Sequence, residues 1–410
     1  MLRFLKNQLA IRPGLSIVPG VLLSGVGGGM AFPVLPLAAL NAGVSLSFIG
    51  LIMAANRLVR MVFAPIVGSL VDRFGGRAVF LSGILVNMVV MALFAMGSLT
   101  GKEGAFFFSG RLLHGVGSAC VFVSAQTLAL FAGGKESRGR STSIVRAAQS
   151  SGTPLGFILG GVLVTFLGEV TTFLLAMIAL LAAFLVAFLT LPNLGKTSPE
   201  RNKEPSPEKL HWNWRFIPLF LMVFVFTFSL QGVLLSTLVL WVHHRHLSIA
   251  HLQSQGTAGI LLAIEAFCSA GFSLFSGRIA DRWGKPALLA TIGFSLVFSG
   301  LFLFARELRG IELYGALILL GMGAGLVWIN LLLFLDTFIP HEMRGRGMGA
   351  IQFVGDSGSA IGAFIGPVLM LKGVGTPYSM AALLTTGAVA CGLILLMTEK
   401  KDPLKTITHK

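Results

Sequence analysis

Apolar residues in this chain do not alternate with polar ones as they do in amphipathic soluble elements. They run on in blocks of about 20, long enough to cross a bilayer as helices. The blocks predict helices at roughly 15–40, 47–70, 78–98, 105–131, 141–167 and 170–191, then 215–242, 254–277, 286–305, 311–337, 347–371 and 376–397. Between the sixth and seventh lies "LGKTSPERNKEPSPEKLHWNW", polar, proline-bearing and mixed in charge, which reads as an exposed linker. The pattern predicts an all-α membrane protein of twelve spans: a bundle over 1–195, a linker over 196–214 and a second bundle over 215–410.

Composition sharpens this reading. Of 410 residues, 55% are hydrophobic and 11% charged, which excludes an ordinary soluble domain. A formal charge of +15 would suggest nucleic acid in a soluble chain; here its distribution matters more. With both termini cytoplasmic, 22 of the 31 Lys and Arg fall on inner segments and five on outer loops. Basic residues collect on the cytoplasmic side of membrane proteins, so both termini are expected there, with no nucleic-acid partner. The opening "MLRFLKNQLAIRPG" has the basic start of a signal peptide. The apolar run then continues to about Leu40 with no cleavage site, so an uncleaved first helix is expected. Cys120, Cys268 and Cys391 sit in apolar runs without ligand spacing and read as core, with no metal. His243, His244, His246 and His251 share an outer loop. They read as solvated, with a metal site or pH sensor as the alternative.

The chain repeats itself. "GSLVDRFGGR" (68–77) and "GRIADRWGKP" (277–286) share Gly-x-x-x-Asp-Arg-aromatic-Gly, which puts Asp72 and Asp281 209 positions apart. "SRGRSTSIVRAAQSSGTPLGFILGG" (137–161) aligns with "MRGRGMGAIQFVGDSGSAIGAFIGP" (343–367) at an offset of 206, and Gly115 and Gly117 meet Gly321 and Gly323 at the same offset. Two copies that both start inside are parallel repeats, an arrangement in which two halves rock about a midplane site.

At these residues the chain resembles the major facilitator superfamily of transporters. The family's loop signature is matched by Gly68, Asp72, Arg73, Gly75 and Arg77, and again by Gly277, Asp281 and Arg282. Its fourth-helix signature is matched by Arg111, Gly115, Gly117 and Ala119. Its fifth-helix antiporter signature is nearly matched by Gly152, Gly156, Gly160 and Gly161, with Phe157 in place of the family's proline and Pro154 nearby. The resemblance points to the twelve-helix drug–proton antiporter branch and to a proton-relay or structural role for Arg111, with His114 one turn on. It implies a proton gradient in place of a cofactor. The partners it implies are a small-molecule substrate, protons and the bilayer, for a monomer. The charged turns read as a gate on the inner side, or else as solvated turns worth under about 1 kcal/mol. The four-residue glycine spacing lets helices approach closely.

Ionisable groups inside helices are costly unless paired or facing water. Arg57, Arg60, Arg111 and Arg146 lie in the first half; Glu265, Asp356 and, near a helix end, Asp336 lie in the second. Arg57 and Arg60 share a helix face. Either they bind an anionic group of the substrate or they pair with the acids, and the two roles can alternate during a cycle. Asp356, about 15 Å from its inner helix end, is level with Arg57 (about 16 Å) and Arg60 (about 12 Å). Glu265 is about 18 Å deep and Arg146 about 9 Å, a poorer match. Asp356 is therefore expected to be the switch partner and Glu265 the proton carrier. Asp336 is expected to pair with the "RGR" at 344–346. The expected function is proton-coupled export of a small amphipathic or anionic molecule such as a siderophore, metabolite or drug. Uptake of a metabolite is the alternative. An intramembrane enzyme is a distant one, since no nucleophile–base spacing supports it. No phosphate-binding loop occurs that would drive ATP-dependent pumping.

Overall fold

The first apolar block is not one helix. In "GVGGGMAFPVLP" (25–36) glycines are followed by Pro33, which has no N–H to donate, and the chain makes a turn at 30–34. The computed structural model, which describes residues 13–132, 134–191, 214–306, 310–336 and 344–399, thus divides α1 into Val18–Gly29 and Leu35–Asn41. The continuous helix expected over 15–40 is corrected to two pieces. After it come α2 (Leu46–Phe74), α3 (Gly76–Thr100) and α4 (Glu103–Ala132). Gly134–Thr190 is helical save at Gly168 (φ 76, ψ 175), which separates α5 from α6. The remainder is α7 (Phe216–His244), α8 (Ser254–Trp283), α9 (Pro286–Ala305), α10 (Ile311–Asp336), α11 (Arg344–Leu369) and α12 (Thr376–Glu399). Among the described residues there is no strand, and ten helices are long and apolar enough to cross a membrane. Most of the expected linker, residues 196–213, lies outside the described residues, as do the side chains of Asp336, Arg344 and Arg346.

The loop signature is mostly not a loop. Gly68, Asp72 and Arg73 belong to the last turns of α2, and Gly277, Asp281 and Arg282 to those of α8. The turns are made by Gly75 (φ 87) and Gly284 (φ 59), in backbone conformations that a Cβ strains.

The described residues of Met1–Pro207 and Leu238–Ala263 form one compact unit, those of Glu208–Thr237 and Ile264–Lys410 the other. In the first, Phe94, Phe107 and Phe173 are fully buried, with ring centroids 5.5–5.9 Å apart, and they bind α3, α4 and α6 together. Arg77 donates to the carbonyl of Phe188 at 2.6 Å, supplying a donor to the last turn of α6, and its guanidinium lies over the Phe188 ring.

Glycines set the closest helix crossings. A Cβ at Gly152, Gly156 or Gly160 of α5 would collide with the backbone of α1 at Leu22, Val26 and Met30 in turn. In the second unit Gly358 and Gly362 of α11 crowd the backbone of α7 at Phe224 and Phe228, and Gly366 crowds the side chains of Ser236 and Thr237. The α2–α4 crossing also recurs. A Cβ on Gly115 would come 2.8 Å from the carbonyl oxygen of Asn56, and one on Gly321 2.5 Å from that of Glu265. The sequence alignment pairs Gly115 with Gly321, and the 209 offset of the charged motif brings Asn56 onto Glu265, so the repeat is a repeated helix crossing.

α7 departs from its counterpart. Its middle, Thr227–Leu234, is π-helical, an irregularity often found at functional sites.

Candidate functional site

The first unit gathers cations in mid-membrane. Arg111 of α4 is 1% exposed and fully engaged. Nε donates to the carbonyl of Ile52 (3.3 Å), Nη2 to that of Met53 (3.0 Å), and Nη1 to Nδ1 of His114 (3.3 Å). A guanidinium nitrogen has only hydrogens to offer, so His114 Nδ1 must accept and the imidazole proton sits on Nε2. Arg111 thus clamps α4 to α2 and fixes the tautomer of a buried histidine. Arg57 and Arg60, half-buried on α2, lie within electrostatic reach of both Arg111 and His114.

Aromatic rings wall this cluster. The Arg111 guanidinium stands 5.1 Å from the ring centroid of Phe32, in the break of α1. Phe32 meets Phe157 of α5 edge to face at 5.7 Å, and Arg60 lies 6.0 Å from the Phe122 centroid. Cations placed over aromatic faces are attracted by the ring. Arg146 is half-buried on α5. One turn along, Gln149 accepts from Gln126 of α4 at 2.8 Å.

The acids belong to the second unit. Asp356 of α11 is 3% exposed, and its backbone carbonyl accepts from Ser359. Glu265 of α8 is half-buried, its carbonyl under Gly321 and its charge near Cys268. Its carboxylate has no hydrogen-bond partner among the described residues.

The remaining expected residues scatter. Gly161 does not continue the α1 ladder; within the first unit it packs on Gln255 and Gly256 of α8, while Gly259 meets the backbone of Phe157. Pro154 lies inside α5 without ending it. Gly68 and Gly277 face open space, where a Cβ would meet nothing within 4 Å. Asp72, Arg73 and Arg282 are exposed, and the side chain of Asp281 is outside the described residues. His243 lies 3.4 Å from the Ser254 hydroxyl. Among the described residues no group of three His, Cys, Asp or Glu is placed to hold a metal.

Sequence reasoning missed Phe32 and the α1 break, although the glycine run followed by Pro33 was the signal. It also missed the Gln126–Gln149 pair and the π-helical stretch of α7, which left no composition mark.

A bundle of apolar helices built as a parallel repeat, with buried charges at mid-depth, defines a membrane carrier. The chain belongs to the Major Facilitator Superfamily, whose family model matches residues 17–363. It is a transporter and a multi-pass cell-membrane protein of that family, which is not a family of enzymes. Among curated relatives, it is 22% identical to the staphylopine export protein of Staphylococcus aureus, covering 90% of this chain and 91% of the relative. It is 25% identical to multidrug resistance protein 1 of Bacillus subtilis, covering 94% and 95%. Among solved structures, a point mutant of the nucleoside transporter NupG superposes with a TM-score of 0.76 at 13% identity, over 94% of this chain and 99% of the other. At that identity the likeness concerns the fold.

Proposed function

We propose that this protein is a proton-coupled exporter of a small amphipathic anion, working by alternating access. The observation that carries this reading is the cation cluster of Arg57, Arg60, Arg111 and His114 beside Phe32 and Phe157. Arg111 is committed to α2 and His114, so its part is to hold the cluster together. Arg57 and Arg60 supply the charge that meets the cargo, and the His114 Nε2–H is a further donor. Glu265 is the proton carrier and Asp356 the acid that alternates with the cargo. The export direction rests on relatives that are an export protein and a resistance protein. The protein works as a monomer of twelve spans with both termini cytoplasmic, its first bundle over 1–195 and its second over 215–410. Asp72 and Asp281, at matching helix ends, act in the inner gate.

Proteoliposome flux of carboxyfluorescein, an aromatic polyanion, under an imposed pH gradient tests this reading. Gradient-dependent movement supports it. Equal preference for a cationic dye such as ethidium counts against the anion assignment.

A further inference from the structure

The two glycine ladders act as a ruler along α1 and α7. Ladder partners on α5 and α11 differ by 206 throughout: Gly152 and Gly358, Gly156 and Gly362, Gly160 and Gly366. Their contacts do not keep one offset. Leu22 matches Phe224 and Val26 matches Phe228, each 202 apart, whereas Gly29 matches Gly232, 203 apart. Between Phe228 and Gly232, therefore, α7 carries one residue more than α1. The extra residue is absorbed by the π-helical turn Thr227–Leu234, which keeps both ends of the ladder in register.

The insertion changes what α7 presents. On the 203 offset Gln231 stands where α1 has Gly28, a glycine with nothing within 4 Å of an added Cβ. Between Val225 and Val242 every residue of α7 is buried except Gln231 and Leu235. The Gln231 carboxamide has no hydrogen-bond partner among the described residues. It lies about 22 Å along α7 from Phe216 and about 20 Å from His244, which is mid-membrane. An unpaired carboxamide at that depth is costly against hydrocarbon, and polar groups there face the bundle interior or water. Carrier sites lie at the same depth, where helices are irregular, and α1 breaks two residues beyond Gly28.

We infer that Gln231 is a specificity-determining residue that hydrogen-bonds a neutral amide or hydroxyl of the cargo, presented by the one-residue insertion in α7. A carboxamide offers a donor and an acceptor together, which suits such a group better than a bare carboxylate. This deepens the proposed anion export and rests on it.

Two measurements test it. With Cys120, Cys268 and Cys391 replaced by Ala, Gln231→Cys should react with a sulfonate-bearing methanethiosulfonate, and Leu230→Cys should not. An unreactive Gln231→Cys overturns the assignment. Flux is then compared for carboxyfluorescein and the same dye with that carboxyl converted to a carboxamide. Gln231→Met should raise KM for the carboxamide by about tenfold, the scale of one neutral hydrogen bond, with kcat little changed. KM for carboxyfluorescein should move less, and Gln231→Glu should disfavour it. Equal shifts for both probes under Gln231→Met overturn the specificity role. If wild-type protein moves neither probe, the anion reading fails by itself. The thiol then decides separately, a reactive one upholding the water-facing placement and an unreactive one overturning it.

Discussion

Arg111 and His114 meet at 3.3 Å, the guanidinium donating and the imidazole Nδ1 accepting. The pair closes a clamp that begins at the carbonyls of Ile52 and Met53, so a change at either residue is felt on both α2 and α4. His114→Leu leaves a buried guanidinium N–H without an acceptor, at a cost of roughly 1–3 kcal/mol. His114→Gln keeps an acceptor and should be milder. Thermal unfolding in detergent should therefore rank wild type, Gln and Leu in that order; an equal loss in both variants would show that the bond contributes nothing.

The glycines divide into two groups with opposite expectations. Gly156→Ala and Gly362→Ala put a methyl group into the backbone of α1 and α7, and should destabilise the protein by about 1–3 kcal/mol. Gly68→Ala and Gly277→Ala meet open space and lie within helices, where alanine is favoured by about 1 kcal/mol. Their melting temperatures should hold or rise. Reduced flux in these two variants at full stability would mean that the glycines serve another state of the cycle.

Arg77 tests a contact that can be removed without emptying the core. Arg77→Ala deletes the donor to Phe188 at the end of α6. Helix-end charges contribute about 0.3–1 kcal/mol, so a small fall in melting temperature is expected, with part of it recovered by Lys. A large loss would mean that the arginine has a role beyond this cap.

Much of this fold was legible in the sequence because it is written in apolar length and small residues. Gly152, Gly156 and Gly160 announced a close crossing by their spacing, and the repeat alignment paired Gly115 with Gly321 before each was seen against a backbone carbonyl of a neighbouring helix. The loop signature misled because charged residues between two apolar blocks look like a turn, whereas Asp72 and Arg73 end a helix and only Gly75 turns. Arg111 gave away its burial but not its partners, since two of them are backbone carbonyls and carry no sequence signature. The π-helical turn of α7 was invisible for a related reason. One extra residue in an apolar run changes no composition and shows only when two ladders of contacts are compared.

For cargo, Arg57→Ala and Arg60→Ala should each raise the apparent dissociation constant for carboxyfluorescein. A neutral aromatic of similar size should be much less affected. Equal losses for the charged and neutral ligands would return these arginines to a structural role.

Proton coupling is decided most directly in proteoliposomes that carry either wild-type protein or Glu265→Gln. Each is assayed for carboxyfluorescein flux down an imposed pH gradient and for carboxyfluorescein–carboxyfluorescein exchange without one. Wild type should show both activities, and Glu265→Gln should lose the gradient-driven flux while keeping exchange, which needs no net protonation. Undiminished gradient-driven flux in Glu265→Gln, or wild-type flux indifferent to the gradient, would contradict proton-coupled export through this carboxylate.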